Sequence, residues 1–125
     1  MAQVNIGHFT DIDQEDSRAF AELAQEAVAL AVHGVKKEDI QPDTVSVMVI
    51  PIDKANSLSG ADIEVQVLVS GNNWPKDNSG KPIDALTAKA HFDKMAGTIY
   101  KALIKGTNRK IYVWVTPFTA SGWAE

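Results

Sequence analysis

Apolar residues recur at two different spacings along the chain. A spacing of two is typical of a β-strand, and a spacing of three to four is typical of an amphipathic helix. The strand-like segments fall at 4–9, 44–52, 62–70 and 111–118, and the helix-like segments fall at 14–33 and 85–105. The pattern therefore predicts strand, helix, strand, followed by the same three elements again.

The first helix is predicted from a narrow, alanine-rich apolar stripe. Its members are Phe20, Leu23, Ala24, Ala27 and Ala31. Asp11 or Asp13 can cap the amino end, because a short carboxylate accepts a hydrogen bond from the free N–H groups there. Gly34 can end the helix in a left-handed conformation.

The second helix carries a broader stripe, formed by Ala88, Phe92, Met95, Ala96, Ile99 and Leu103. Asp84 precedes it as the expected cap. Lys105 and Gly106 follow, and they predict an end with a favourable positive charge and a left-handed glycine.

Together these elements predict an α/β (α+β) fold with tandem β-α-β repeats, one at about 1–55 and the other at about 60–125. We expect a single domain over 1–125, with a four-stranded sheet and both helices on one face. The segment at 44–52 has apolar residues at both odd and even positions, with Val47 on one side and Met48 on the other. Two helices cover only one face of the sheet, so apolar residues on its other face predict that another subunit covers them. We therefore expect an oligomer.

Composition excludes several classes of function. The chain has 125 residues and a net charge of -4, and its 12 Lys and Arg residues are scattered, so we expect no nucleic-acid partner. It has no cysteine, which excludes a thiolate nucleophile or a Cys-ligated zinc. No apolar run is long enough to span a bilayer, and 1–8 lack the pattern of a secretory signal, so no membrane partner and a cytoplasmic location are expected.

Two stretches resemble the tautomerase superfamily, which includes macrophage migration inhibitory factor and carboxymethyl-hydroxymuconate isomerase. Residues 45–51, a glycine-containing turn and 63–71 resemble two consecutive strands of that family. Residues 111–115 and the Gly-Trp turn within 119–123 resemble its last strand and ending. The resemblance covers nearly the whole chain.

The resemblance implies a homotrimer in which three sheets surround a channel, the helices lie outside, and active sites lie at subunit boundaries. It also implies an amino-terminal proline as the working group. This chain has Ala2 at that place, counted back from the first helix, so the proline is absent. Removal of Met1 would leave the Ala2 amine, with an ordinary pKa of about 7.7 to 8.0. Such an amine can act as a base or as a nucleophile.

Substrate binding in this family uses cationic groups that hold a carboxylate. Lys36 and Lys37 are the nearest match, although each also fits a solvated surface charge. Arg18 and Arg109 do not fall in predicted strands.

Aromatic residues on the last strand form a second candidate group. They are Tyr112, Trp114 and Phe118, which share one face of the strand. These side chains can line a pocket for a small carbonyl or keto-acid ligand, or they can pack in a subunit interface. We favour the interface for the group, and both interpretations can hold for different residues. We predict Trp114 and Phe118 as substrate-binding residues. His8, His33 and His91 lack metal-ligand spacing, and neither a metal nor another cofactor is expected. His33 is interpreted as a helix-terminal cation.

Two hypotheses follow. The chain is a divergent keto-enol tautomerase or isomerase that uses its amino-terminal amine, or it is a noncatalytic trimer that keeps the fold for binding or structure. Fold alone does not choose between them.

Overall fold

The computed structural model describes residues 2–9, 13–41, 45–53, 60–70 and 75–118. These contain the six predicted elements in the predicted order. They are β1 (Ala2–Phe9), α1 (Gln14–Val28), β2 (Val45–Ile52), β3 (Ile63–Ser70), α2 (Ala85–Leu103) and β4 (Ile111–Phe118).

The described strands form one four-stranded sheet in the order β2-β1-β3-β4. β1 is parallel to β2, and β3 is parallel to β4. The central strands β1 and β3 are antiparallel, with Val4 opposite Val67. This register relates the two β-α-β halves by an approximate twofold axis, so that Ala2 in one half corresponds to Ile63 in the other.

Both helices pack on the same face of the sheet. Strand residues such as Val4 and Val67 are completely buried there, as are Val28 on α1 and Ile99 on α2. Burial of each such side chain contributes roughly 1.5 to 3 kcal/mol to folding. The predicted arrangement of a sheet with two helices on one face is confirmed.

The other face of the sheet, which we call the open face, has two kinds of surface. Its edge strands present large apolar side chains, among them Met48 at 52% exposure and Trp114 at 46%. Its central strands present the polar residues Asn5 and Gln66. The expectation that the segment at 44–52 is apolar on both faces is therefore confirmed for β2, whereas the central strands are polar on the open face.

The ends of α1 follow the sequence closely. Asp13 is the N-cap, and its carboxylate accepts the N–H of Asp16 at 2.8 Å. After Val28 the chain continues as one wider π-type turn, Ala29–His33, and Gly34 then ends it with a φ of +66°. The N–H of Gly34 donates to the carbonyl of Leu30 at 3.1 Å. The glycine stop is confirmed.

The carboxyl end of α2 differs from the prediction. Asp84 caps the amino end as expected, accepting the N–H of Thr87 at 2.7 Å. Gly106, in the turn Ile104–Gly106, is not among the glycines in the left-handed region, so that prediction is wrong. Glycine leaves room there for Leu23, because a Cβ would lie 2.5 Å from its Cδ2 and that side chain would have to shift.

Candidate functional site

The candidate site starts from Ala2, the first residue of β1. Ala2 lies between Val45 of β2 and Val69 of β3 in the sheet register. Strand pairing on both sides fixes the backbone at this point. An amine on Ala2 would therefore have a defined place at the end of the sheet.

Helix α1 brings its carboxyl end to the same end of the sheet. Since α1 joins two adjacent parallel strands, it must run back against β1. The side-chain amide of Gln25 donates to the carbonyl of Val45 at 3.1 Å, and Val45 is the strand partner of Ala2. Two turns further along the helix, the π-type turn carries His33.

His33 has the most perturbed surroundings at this end of the molecule. Its Nε2 atom is buried and has no hydrogen-bond partner, whereas no other buried side-chain polar atom among the described residues is left unsatisfied. The pKa of His33 is lowered, first by burial and second by the positive charge of the amino terminus. A neutral imidazole therefore lies near the chain's amino-terminal charge.

This finding corrects the interpretation of His33 as a helix-terminal cation. Burial and a nearby positive charge both disfavour the imidazolium, and they outweigh the favourable interaction with the helix end. The spacing of residues along the helix is one signal that indicates this burial. His33 follows Gln25 and the buried Ala29 at steps of four, so it lies along a helix face that meets the rest of the molecule.

Lys36 and Lys37 follow the same turn and are both exposed. Lys36 precedes the short 3-10 turn Lys37–Asp39, and its carbonyl accepts the N–H of Asp39 at 2.9 Å. The ammonium of Lys37 lies 3.3 Å from a carboxylate oxygen of Glu26 on α1. Their use as anion-binding groups stays a prediction.

Trp114 lies in the middle of β4 on the open face. Its ring meets that of Tyr112 edge to face, with centroids 5.8 Å apart and planes at 85°. It also borders a shallow hollow of about 240 Å³ on this face, together with Asn5, Glu64 and Gln66. The hollow combines an aromatic wall with polar groups.

Within one chain, Trp114 and Ala2 are not brought together. Trp114 pairs with Gln66, which pairs with Asn5, three residues after Ala2. At about 3.3 Å per residue, this separates them by about 10 Å along the strands. Phe118 is nearer to the Ala2 end of the sheet, because it pairs with Ser70. The other aromatic candidates, Trp74 and Trp123, fall outside the described residues.

Neither arginine lies in a strand. Arg18 is on α1 with its side chain 84% exposed, 3.5 Å from Glu22. Arg109 precedes β4. None of the residues in the four described strands is Lys or Arg.

Among the described residues, no three His, Asp or Glu side chains cluster in a way that could hold a metal ion. No helix in those ranges combines the length and hydrophobicity needed to cross a membrane.

Comparison with solved structures places this geometry among known folds. The macrophage migration inhibitory factor-like protein of Entamoeba histolytica is 14% identical and superposes with a TM-score of 0.58, with 99% of this chain and 94% of that one covered. Pt0534 inactivated by 2-oxo-3-pentynoate is 13% identical with a TM-score of 0.57, covering 94% of this chain and 85% of that one. A fused 4-OT symmetric trimer is 10% identical with a TM-score of 0.55, at the same coverage of 94% and 85%.

The chain has the fold of the tautomerase superfamily. The match spans nearly all of this chain and most of each neighbour, so the sequence resemblance is confirmed at the level of fold. No family model matches the sequence, and no curated protein does. At sequence identities of 10% to 14%, the structural similarity does not assign functional roles to individual residues.

Proposed function

We propose that this chain is a keto-enol tautomerase or isomerase of a small carbonyl compound or keto acid, and that its amino-terminal amine is the main acid-base group. The observation that carries this proposal is the buried, unpartnered Nε2 of His33, on the helical segment that leads back to the Ala2 end of the sheet. The pKa of His33 is lowered by burial and by the amino-terminal charge, and perturbed basic groups are a common feature of acid-base sites.

The pair can serve both proton transfers of ketonisation. The enol O–H bond must break and a C–H bond must form at the neighbouring carbon. The ammonium form of the amine donates its proton to carbon, and the neutral imidazole of His33 accepts the enol proton. Passing one proton from the imidazolium back to the amine restores both groups.

The electrostatics favour a pair that carries one proton. Two neighbouring cations repel each other, so protonation of the amine opposes protonation of His33. Because the pKa of His33 is lowered, its imidazole is not the group that holds this proton. The imidazole then stays neutral and able to accept a proton at neutral pH.

A keto-acid substrate is supported by the neighbouring structure of Pt0534, which was inactivated by 2-oxo-3-pentynoate. In this chain, Lys36 and Lys37 follow the turn that carries His33 and are the proposed carboxylate-binding groups. Their exposure leaves them able to reorient toward a ligand.

A homotrimer is the proposed assembly. The open face exposes Met48, Ile50 and Trp114 on its two edge strands. Exposed apolar groups of this size on a sheet favour burial against another subunit. The fused 4-OT neighbour is a symmetric trimer, which supports the same arrangement here. Trp114 and Phe118 would then border a pocket that a neighbouring subunit completes.

A second candidate function is a noncatalytic trimeric module for binding or structure. It is favoured by the absence of any Lys or Arg in the described strands and by the ion pair of Lys37 with Glu26. Both observations weaken the case for a fixed carboxylate-binding group. The tautomerase predicts turnover of a keto-enol substrate, whereas the noncatalytic module predicts none.

The test combines intact-protein mass spectrometry with an ultraviolet assay for ketonisation of phenylenolpyruvate and of 2-hydroxymuconate. We expect Met1 to be absent and ketonisation to exceed the uncatalysed rate. Carbamoylation of the α-amine should abolish that excess. Loss of Met1 without any excess rate would support the noncatalytic module instead.

Two variants sharpen the assignment. Ala2→Pro places a secondary amine at the same point and should keep or raise the rate. His33→Gln should reduce it, whereas His91→Gln, on the exposed side of α2, should leave it unchanged. Equal rates for the two histidine variants would remove His33 from the mechanism.

A further inference from the structure

The shallow hollow on the open face differs from the proposed amine site in its charge. Glu64 lines it together with the amides of Asn5 and Gln66 and the indole of Trp114. Among its described lining residues, Glu64 is the one charged group. A ligand that carries a carboxylate would therefore be repelled, whereas a cation would be attracted.

The register of the sheet fixes these side chains next to one another. Gln66 pairs with Asn5 on one side and with Trp114 on the other, and Glu64 pairs with Gly7. Directly paired residues share a face, with Cβ atoms about 4.5 to 5.5 Å apart. Glu64 is diagonal to Trp114, at about 7 to 8 Å, which is within reach of a long side chain and an aromatic one. A group of a few atoms can therefore contact both the carboxylate and the indole.

Gly7 shapes the apolar side of the hollow. Because Gly7 has no side chain, Cδ1 of Ile52 reaches over it, so close that a Cβ there would collide with it. Ile50, which pairs with Gly7, lines the same side. A short alkyl group fits against these two isoleucines.

The carboxylate of Glu64 is available to a ligand. Among the described residues, no ion pair or side-chain hydrogen bond engages Glu64. The ammonium of Lys110 lies instead over the ring of Tyr112, 5.5 Å from its centroid. Trp114 meets Tyr112 edge to face and keeps 46% of its surface exposed. An unpaired carboxylate beside an exposed indole favours a cation that contacts both.

We propose that the hollow binds a small guanidinium compound with a short alkyl arm. The guanidinium stacks on the indole of Trp114 and donates hydrogen bonds to the carboxylate of Glu64 and the amide oxygen of Gln66. The alkyl arm lies against Ile50 and Ile52. A guanidinium suits this arrangement better than an ammonium, because it is planar, stacks on aromatic faces and can donate two parallel hydrogen bonds to a carboxylate.

The site is separate from the proposed amine chemistry. Glu64 pairs with Gly7, which lies five residues after Ala2 on β1. This corresponds to about 17 Å along the strand. Binding in the hollow and turnover at the amine can therefore succeed or fail independently.

The test is a titration of the protein, in the assembly that it forms in solution, with n-propylguanidinium. NMR of the side-chain N–H groups of Gln66 and Trp114 follows binding, and we expect saturable shifts of both. Two analogues each delete one property: n-propylurea has a similar shape without the charge, and propyltrimethylammonium keeps the charge without a hydrogen-bond donor. Each should bind about tenfold more weakly or worse, as expected for the loss of a charge-assisted hydrogen bond.

Matched variants test the carboxylate. Glu64→Gln should weaken n-propylguanidinium binding about tenfold. Glu22→Gln removes an exposed carboxylate on α1, outside the hollow, and should leave binding unchanged. Equal binding by these two variants overturns the proposal. No saturable shift with n-propylguanidinium also overturns it, and so does equal binding of either analogue to the unmodified protein, even if Glu64→Gln fails to fold.

Discussion

The side-chain amide of Gln25 donates a hydrogen bond to the backbone carbonyl of Val45, 20 residues away, at 3.1 Å. The bond ties the last turns of α1 to the first residue of β2. Because Val45 pairs with Ala2, it also fixes the helix relative to the start of β1.

Gln25→Ala should lower the free energy of unfolding by about 1 kcal/mol, the usual net value of one such hydrogen bond. Urea denaturation measures this change. Glu22→Ala removes an exposed ion pair on the same helix and should change the free energy by less than about 0.5 kcal/mol. Equal effects would mean that the Gln25 bond does not anchor the helix.

His33 should titrate below the ordinary histidine pKa of about 6.5. Burial and the amino-terminal charge both lower it. Acetylation of the amino terminus removes that charge and should raise the pKa of His33. Histidine NMR over a pH series measures this pKa. An unchanged His33 after acetylation would separate it from the amine.

The same shift has a consequence for stability. The pKa of His33 is lower in the folded protein than in the unfolded chain, so the unfolded chain binds more protons just below pH 6.5. Stability is fully present above that pH and is lost as the pH falls toward the folded pKa. In His33→Gln this part of the pH dependence should disappear.

Asp84 should contribute a second pH dependence at lower pH. The pKa of its carboxyl is lowered by hydrogen bonds from the side chain and backbone of Thr87. A lowered carboxyl pKa gives stability that is present above about pH 4 and is lost as the pH falls through the folded value. Asp84→Asn keeps a capping oxygen but cannot titrate, so its thermal stability should vary less with acid than that of the parent protein.

Gly7 and Ile52 should be energetically coupled. A Cβ on Gly7 would collide with Cδ1 of Ile52 on the neighbouring strand. Gly7→Ala alone should destabilise the fold by about 1 to 3 kcal/mol. Ile52→Val removes Cδ1 and should recover at least about 0.5 kcal/mol in the double variant. Additive effects in denaturant unfolding would contradict the close contact.

The open face should govern self-association. Trp114→Lys puts a charge in the proposed subunit interface and should shift the protein toward monomer in light scattering. Leu86 is 81% exposed on α2, so Leu86→Lys is a matched change on the helical side and should leave the assembly intact. A monomeric parent protein would refute the trimer directly.

The order of elements, the ends of β4, the start of α2 and the end of the first helical segment could be predicted from the sequence because their signals are local. Alternating apolar residues, the Asp84 cap and the Gly34 stop each act within one or two turns. Gly106 was misassigned because its reason is distant in sequence. It makes room for Leu23, a contact that only the packed helices define.

The candidate site was less predictable from sequence. The family resemblance identified Ala2, but the pattern at His33 matched an ordinary helix end. Its burial depends on tertiary packing around the π-type turn, which no local sequence pattern describes. Asp16 and Arg109, which line one hollow of about 300 Å³, are 93 positions apart in the chain, and no local pattern connects them.

The approximate twofold axis between β1 and β3 gives the molecule two similar ends, yet a polypeptide has only one free α-amine. Covalent continuity, rather than the fold, would therefore place the proposed amine at Ala2 and leave none at the equivalent residue, Ile63. A circularly permuted chain that begins at Ile63 would exchange these identities. The architecture would be kept, while the amine would move to the opposite pole of the molecule.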